Sequence, residues 1–239
     1  MGLNISLHTL STEQNLPVLQ LSNAEIQIWQ TSLEATSATV TRLTQLLSLD
    51  EQERARRFYF ERDRRRYIVA RGTLRQLLGG YLHCAPSIVR FTYAAQGKPS
   101  LASQLPEQHL HFNVSHSHES ALFAFAWNRE VGVDIEAIRS EVEIEGIFPT
   151  ISSPEEQADW KNVPASTKRP AFFSLWSRKE ALVKAIGQGI GYPLQEVTVG
   201  FSENLPQQIR LARTLYAQSQ QWQIWELPVE SNLRAALAI

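Results

Sequence analysis

The sequence predicts an α+β fold, because its predicted elements fall into helices followed by strands, and this order occurs twice along 239 residues. That segregation is typical of α+β domains, while regularly alternating strands and helices would indicate a parallel α/β fold. Each repeat of the order contains one long helix with an apolar face. A turn near Asn128 separates two runs of strand-like sequence. We therefore predict two parts of the chain, an N-terminal half at 1–127 and a C-terminal half at 128–239.

The N-terminal half is predicted to begin with a strand at 24–30, where Ile26 and Ile28 alternate with polar residues. Leucines at helical spacing then indicate a helical segment, in which Asp50 is a candidate cap for a second short helix. The longest helix of this half ends near a pair of glycines. The predicted helices and later strands lie at 41–58, 63–82, 88–93, 109–115 and 120–127, with a turn at 95–100.

The C-terminal half is predicted to begin with a strand at 130–136. Ser153 followed by Pro154 is typical of a helix start and predicts a helix within 152–160. A stronger helix is predicted at 169–187, where Gly187 ends it. The remaining predicted strands lie at 196–201, 208–213, 221–227 and 233–239.

The composition excludes several classes of protein. Hydrophobic residues make up 43% of the chain and the net charge is -1, as in ordinary globular proteins. No apolar run approaches the roughly 20 residues that a membrane helix needs, and the N-terminal sequence lacks the pattern of a secretory signal. The single cysteine, Cys84, excludes an internal disulfide and fits a reducing compartment. We therefore expect a cytoplasmic protein without a membrane partner.

Carboxylates interrupt a strand and a helix that should both be packing. In "GVDIE" (132–136), side chains alternate, so Asp134 and Glu136 lie on one face, about 6–7 Å apart. Two unpaired acids would repel each other, and a hard cation such as Mg²⁺ removes that repulsion. In "LWSRKEALVKAIG" (175–187), Glu180 and Lys184 share one helix face. The residues alone leave a simpler interpretation open, with solvated acids at a strand end and a surface Glu–Lys pair.

Two further motifs contain candidate binding residues. "HLHFNVSHSHE" holds four histidines, but their spacing matches no standard zinc ligand pair. Ser115 and His116, near a strand end, can donate hydrogen bonds to a phosphate. The tight turn in "QGKP" exposes Lys98, which either contacts an anion or is simply solvated.

Residues 54–75 form a basic block, with nine arginines against only Glu61 and Asp63. Because the whole chain carries a net charge of -1, the remainder is acidic and would repel an extended polyanion. A compact anion, such as a nucleotide with several phosphates, fits a single basic patch better. Nucleic-acid binding by this block, with aromatic residues interleaved, stays open as the alternative.

Taken together, five motifs resemble the Sfp-type 4'-phosphopantetheinyl transferases. In order they are "RARRF", "GKP", "FNVSHS", "GVDIE" and "WSRKEALVKAIGQGI", within about 50–192. The resemblance implies an enzyme that transfers the phosphopantetheine arm of coenzyme A to a carrier-protein serine and releases adenosine 3',5'-bisphosphate. It also implies two similar halves related by pseudo-twofold symmetry. Each would be a small antiparallel sheet packed against a long helix, with the active site in the cleft between them.

The resemblance further implies residue roles. The expected ligands of Mg²⁺ or Mn²⁺ are Asp134, Glu136 and Glu180. Glu180 is also the expected base for the serine proton, directly or through a water, and Lys184 the catalytic lysine near the pyrophosphate. The expected contacts to coenzyme A are Arg54, Gly97, Lys98, Asn113, Ser115, His116 and Lys184.

One position departs from the family pattern. Glu51 lies where some relatives carry a basic residue. We therefore expect the contact to the 3'-phosphate to shift to Arg54 with Arg57 or Arg66.

The resemblance implies an acyl, polyketide or peptidyl carrier protein as partner, and no nucleic acid. We expect docking near 137–152 and the helix at 169–187, where Ile144, Ile147 and Phe148 either engage a carrier helix or pack inside. A monomer is expected, since one chain supplies the whole cleft. A catalytically silent carrier-binding protein is the remaining alternative, and the complete set of three acids argues against it.

Overall fold

Helices and strands follow one another in blocks along the chain. The computed structural model describes residues 3–14, 16–102, 109–189, 191–201, 207–208, 210–211 and 222–239. The helices are α1 (Ser37–Thr44), α2 (Leu49–Arg56), α3 (Glu61–Tyr81), α4 (Ile144–Ile151), α5 (Pro154–Trp160) and α6 (Lys168–Ile186). The strands are β1 (Asn4–Leu10), β2 (Glu25–Ser32), β3 (Phe91–Tyr93), β4 (Pro99–Leu101), β5 (Leu110–Ser117), β6 (Ser120–Trp127), β7 (Gly132–Ala137), β8 (Val197–Thr198), β9 (Gln207–Gln208), β10 (Arg210–Leu211), β11 (Gln223–Glu226) and β12 (Leu233–Ala238).

The first sheet has the strand order β1-β2-β6-β5. β1 runs parallel to β2, and β6 is antiparallel to both of its neighbours. Phe123 and Phe125 of β6 belong to one core with Leu74, Leu77 and Tyr81 of α3. The helix covers this face because its apolar residues recur every three to four positions.

The second sheet has the order β7-β12-β11-β9 and is antiparallel throughout. Ala236 and Ala238 of β12 share a core with Phe172, Leu182 and Ala185 of α6. Small side chains on β12 let the helix lie close to the sheet.

The inner faces of the two sheets pack on each other. Leu122 of β6 shares a buried cluster with Val133 and Ile135 of β7. Because successive side chains of a strand point to opposite faces, this packing turns Asp134 and Glu136 toward α6. The layers therefore run α3, first sheet, second sheet, α6.

The predicted fold class is confirmed, as two sheet-and-helix halves in agreement with the pseudo-twofold description. Two strands, β1 and β4, and the helix α4 were not predicted. Because β1 pairs in parallel with β2, the first sheet is mixed, and the prediction of an antiparallel sheet is wrong for this half. The alternation of Ile5 and Leu7 with polar residues was the available signal for β1. Asn128 has a φ of 53°, as turn residues do. The division of the chain there stays a prediction.

The two long helices are confirmed to within two residues at each end, whereas other boundaries differ. The segment 41–58 holds two helices, α1 and α2, and Ser48 rather than Asp50 precedes the second. Glu51 accepts a hydrogen bond from the Ser48 backbone N–H (2.9 Å), as in a capping box.

Two predicted strands are shorter than expected. The segment 88–93 is a strand only at Phe91–Tyr93, because Pro86–Ile88 forms a 3₁₀ turn. The segment 196–201 is a strand only at Val197–Thr198. The predicted strands at 208–213 and 221–227 are described in part, and residues 209, 212–213 and 221 lie outside the described residues.

Within the described parts of the chain, no helix has the length and apolar character needed to cross a membrane.

Candidate active site

A cavity of about 630 Å³ lies between β5 of the first sheet, β7 of the second sheet and α6. We name it the carboxylate cavity. Six residues from distant sequence motifs, which we expected to lie together, line this one cavity: Asp134, Glu136, Glu180, Lys184, Ser115 and His116. Their roles in binding metal and substrate stay predictions. The full lining is Val114, Ser115, His116, Asp134, Glu136, Thr150, Ile151, Trp176, Glu180, Lys184, Tyr192, Pro193, Leu194 and Gln195.

Helix α6 reaches β7 because the strand begins with Gly132. A Cβ atom at this position would overlap the carbonyl oxygen of Ala181 and the backbone nitrogen of Ala185. Glycine therefore permits an approach that no other residue allows. Glu180 and Lys184, the neighbours of these alanines, are thereby carried to the acids of the strand.

Asp134 is the most buried of the three acids, at 3% exposed. Its Oδ1 accepts hydrogen bonds from Lys184 Nζ (2.6 Å) and Ser115 Oγ (2.8 Å). Its Oδ2 is buried and has no hydrogen-bond partner among the described residues. Leaving a buried acceptor unpaired costs free energy, so this oxygen is a candidate metal ligand.

The pKa values of all three carboxyl groups are raised above their ordinary range. Burial is the main cause for Asp134, Glu136 and Glu180, and the charge of Asp134 adds to the shift of the two glutamates. Lys184 only partly opposes these shifts. Three carboxyl groups lie close together with too little neighbouring positive charge to balance them, and their oxygens are the ligands that a hard cation prefers. In the described residues they do not, however, form a closed cluster of metal ligands.

Three polar side chains of β5 pair with the free edge of β7, a role that the sequence reasoning missed. They accept hydrogen bonds from the backbone N–H groups of alternate β7 residues and so replace the carbonyls of a neighbouring strand. The available signal was the spacing of two in "NVSHS", which puts these side chains on one strand face. The pairs are Asn113 Oδ1 with Val133 N (2.9 Å), Ser115 Oγ with Ile135 N (3.3 Å) and Ser117 Oγ with Ala137 N (3.1 Å).

A second cavity, of about 510 Å³, lies beside the first and contains Arg54 and Gly97. We name it the arginine cavity. Cationic and aromatic side chains in one cavity suit a nucleotide that carries phosphates. Arg57 is not part of its lining, which is Leu33, Arg54, Phe58, Asp63, Arg66, Tyr67, Ala70, Arg71, Leu74, Tyr93, Gly97, Pro99, Val114, His116 and His118.

Val114 and His116 line both cavities and so mark their junction. Part of the His116 side chain is exposed to solvent at the junction, while its ring is surrounded by protein atoms. Burial lowers the pKa of His116, and the charge of Lys184 lowers it further. The side chain of His116 therefore faces both cavities.

Two predicted contacts to coenzyme A are engaged elsewhere. Lys98 lines neither cavity; its Nζ contacts Glu130 Oε2 (3.0 Å) and the carbonyl oxygen of Ala185 (3.1 Å). Asn113 is buried under β7. Their contacts to coenzyme A stay predictions, but both side chains have a clear structural role: Lys98 ties the "GKP" turn to the end of α6.

Glu51 has a structural explanation at the position where the family pattern is broken. It is buried and forms ion pairs with Arg71 (2.5 Å) and Arg75 (2.6 Å). Burial alone would raise the pKa of Glu51, but the two arginines lower it overall. Arg66, offered as a partner for the 3'-phosphate, lines the arginine cavity but is paired with Glu34 and Glu119.

Comparisons with known proteins agree with this geometry. The profile of the 4'-phosphopantetheinyl transferase superfamily matches residues 130–238, and that of the N-terminal region of 4'-phosphopantetheinyl transferases matches residues 27–127.

Several proteins with similar sequences are also named phosphopantetheinyl transferases. The 4'-phosphopantetheinyl transferase HetI of Nostoc sp. (strain PCC 7120) is 35% identical over 223 residues, which cover 93% of this chain and 91% of the relative. The 4'-phosphopantetheinyl transferase Sfp of Bacillus subtilis (strain 168) is 30% identical over a match that covers 66% of this chain and 68% of the relative. The human L-aminoadipate-semialdehyde dehydrogenase-phosphopantetheinyl transferase is 29% identical over 64% and 52%. Because identity and coverage are both high in the first case, the chain belongs to the 4'-phosphopantetheinyl transferases.

Proposed function

We propose that this enzyme transfers the 4'-phosphopantetheine moiety of coenzyme A to a serine of an acyl, polyketide or peptidyl carrier protein. The reaction depends on Mg²⁺ or Mn²⁺ and releases adenosine 3',5'-bisphosphate. The supporting observation is that the carboxylate cavity meets the arginine cavity at Val114 and His116. A nucleotide in the arginine cavity then directs its pyrophosphate toward His116 and Lys184, beside the three acids.

Asp134, Glu136 and Glu180 would hold the metal ion. Their donor chemistry, their raised pKa values and the unpartnered Oδ2 of Asp134 fit a divalent cation. When bound, such an ion neutralises negative charge on the pyrophosphate oxygens, which is a main contribution to catalysis of phosphoryl transfer.

The protein's own residues carry the proton and the charge of the leaving group. Glu180 accepts the proton of the serine hydroxyl, directly or through a water. The serine oxygen forms a bond to the phosphorus next to the pantetheine arm, and the bond from that phosphorus to the bisphosphate breaks. Lys184 compensates the charge on the departing bisphosphate.

Mass spectrometry of an apo carrier protein incubated with coenzyme A and Mg²⁺ tests the proposal, and we expect a gain of one phosphopantetheine. Glu180→Gln should lower the transfer rate by about 10²–10⁴-fold, the usual contribution of a general base. Coenzyme A binding, measured by calorimetry, should remain. Normal transfer by Glu180→Gln would remove Glu180 from the mechanism, and no modification by the wild-type enzyme would contradict the function itself.

Docking of the carrier near 137–152 and on α6 stays a proposal, with one correction. Ile144 and Phe148 are buried in the core beneath α4 and cannot contact a carrier. Ile147 is only partly buried, so it is the apolar residue of the three that remains available. A cytoplasmic monomer without nucleic-acid or membrane partners likewise stays a prediction.

A further inference from the structure

A buried ion pair beside the carboxylate cavity has no part in the chemistry above. Lys179 precedes Glu180 on α6, and Glu156 lies on α5. Their side chains are both 0% exposed, and Lys179 Nζ lies 2.7 Å from Glu156 Oε2. Removing two charges from water costs free energy, which only well-placed partners offset.

The remaining hydrogen bonds of this pair all tie down neighbouring backbone. Two carbonyls and the Glu156 carboxylate together satisfy the three donors of the Lys179 ammonium. The two oxygens of Glu156 in turn accept from backbone N–H groups. The backbone partners are the carbonyls of Leu194 (2.8 Å) and Val197 (2.5 Å) for Lys179, and the N–H groups of Ser153 (2.8 Å), Val199 (2.8 Å) and Gly200 (3.3 Å) for Glu156.

The backbone held in this way continues into one wall of the carboxylate cavity. Residues 192–195 line that cavity and are not part of the described lining of the arginine cavity. Leu194 belongs to both the wall and the hydrogen-bonded segment. Gln195 Nε2 connects the wall to the carbonyl oxygen of Pro149 (2.8 Å) at α4. The wall therefore belongs to the part of the carboxylate cavity that lies away from the arginine cavity.

We propose that Lys179 and Glu156 are positioning residues, whose buried ion pair fixes the segment 192–200 and thereby the wall that the carrier protein approaches. The inference rests on the proposed function, because it takes the carrier to be the substrate that meets this wall. Neither residue touches the reacting atoms. Their effect is on the position of the wall that receives the carrier.

The test uses the paired variant Lys179→Met with Glu156→Gln. A single change would leave an unpaired buried charge and strongly destabilise the fold, whereas the double change removes both charges at similar volume. We expect coenzyme A to bind as in the wild type. The KM for an apo carrier should rise on the order of tenfold, because the contact between carrier and wall is lost at a cost of about 1.4 kcal/mol per factor of ten. Hydrogen exchange at 192–200 should become faster.

The matched control is Arg178→Met with Glu226→Gln. Arg178 is the preceding residue of α6, is buried and pairs with Glu226 at 2.7 Å, but lines a separate cavity. It also donates to the carbonyl of Gly200 (2.6 Å). Gly200 is the last residue of the held segment and does not line the carboxylate cavity, so the control loosens that end while Leu194 and Val197 stay bound to Lys179. We expect the carrier KM of this control to stay at the wild-type value. An equal rise in both double variants would indicate general loosening and overturn the inference.

Gln195→Ala provides a second test that leaves the core intact. It should raise the carrier KM without changing coenzyme A binding, because it frees the wall from Pro149. Wild-type carrier KM in the Lys179/Glu156 variant would overturn the inference, whatever the result for Gln195→Ala. Absence of any transfer by the wild-type enzyme would instead contradict the proposed function, so the two failures are distinguishable.

Discussion

Individual hydroxyl groups at this site hold other protein groups in place. Ser117 Oγ donates to Glu136 Oε2 (3.1 Å) while it accepts from the backbone N–H of Ala137. It therefore orients a predicted metal ligand. The family motif drew attention to Ser115 and His116, and Ser117 was missed because its role depends on β7 lying beside β5.

Replacing Ser117 with alanine should weaken Mn²⁺ binding about 10- to 100-fold, the usual effect of losing a group that orients a metal ligand. Calorimetry or the electron paramagnetic resonance of free Mn²⁺ measures this without turnover. Ser100→Ala is the matched control, because the Ser100 hydroxyl contacts Thr92 Oγ1 (2.8 Å) on the surface. Equal Mn²⁺ affinity of Ser117→Ala and the wild type would contradict the role.

Glu130 is a second residue whose role depends on contacts with other elements of the fold. It contacts Lys98 (3.0 Å) and His111 (3.3 Å), and so joins the "GKP" turn and β5 to the start of the second sheet. The hydrogen bond with His111, together with Lys98 and against the effect of burial, lowers the pKa of Glu130 to about 2.

The stability of the protein should therefore depend on pH through Glu130. The folded-state pKa lies below the ordinary value of 4.5, so this stabilisation is present above that value and is lost as the pH falls toward 2. Glu130→Gln should lower the free energy of unfolding near neutral pH by about 1 kcal/mol or less, and Tm with it, because the side chain is 44% exposed. Thermal unfolding followed by circular dichroism should show this difference shrinking in acid. A difference independent of pH would refute the assignment.

At the scale of elements, the site depends on how closely α6 lies against β7. The sequence predicted the helix, the strand and the faces of both, because each follows from local periodicity. It did not predict that Gly132 is where they meet. A glycine at the start of a strand carries no sign of the helix that will cover it, 50 residues further along the chain.

Gly132→Ala should both destabilise the protein and reduce transfer, because the new methyl group would overlap the backbone of Ala181 and Ala185. Overpacking of this kind costs typically about 1–3 kcal/mol. Urea unfolding measures the loss. Gly146→Ala on α4 is the control, since a Cβ there meets nothing within 4 Å. Its stability should be equal or higher, by up to about 1 kcal/mol. Wild-type stability of Gly132→Ala would show that the contact is not tight.

At the scale of the whole molecule, the two halves contribute different chemistry to one continuous site. The first sheet and α3 border the arginine cavity, and β7 with α6 supply the acids. The two cavities share only Val114 and His116 among the described lining residues. Binding of the nucleotide and transfer of the arm should therefore respond to different substitutions.

Arg54→Ala tests this separation. Arg54 lines the arginine cavity, with its guanidinium 5.6 Å from the ring centre of Tyr67. Losing a hydrogen bond to a charged phosphate costs about 1.5–3 kcal/mol, so KM for coenzyme A should rise at least about tenfold. KM for 3'-dephospho-coenzyme A should change little. Arg57→Ala, outside the cavity lining, is the control. Equal losses for both substrates would show that Arg54 does not contact the 3'-phosphate.

By itself, the sequence determined the two long helices, the alternation that separates Asp134 and Glu136 from the buried side of β7, and the motifs that resemble the family. These features depend on local periodicity and on spacing within short segments. Only the tertiary structure decided that Glu51 pairs with arginines of α3, that Lys98 joins the two halves and that Lys179 holds the cavity wall. Each of these contacts links separate elements, and side chains from different elements meet only where the packing of the layers brings them together.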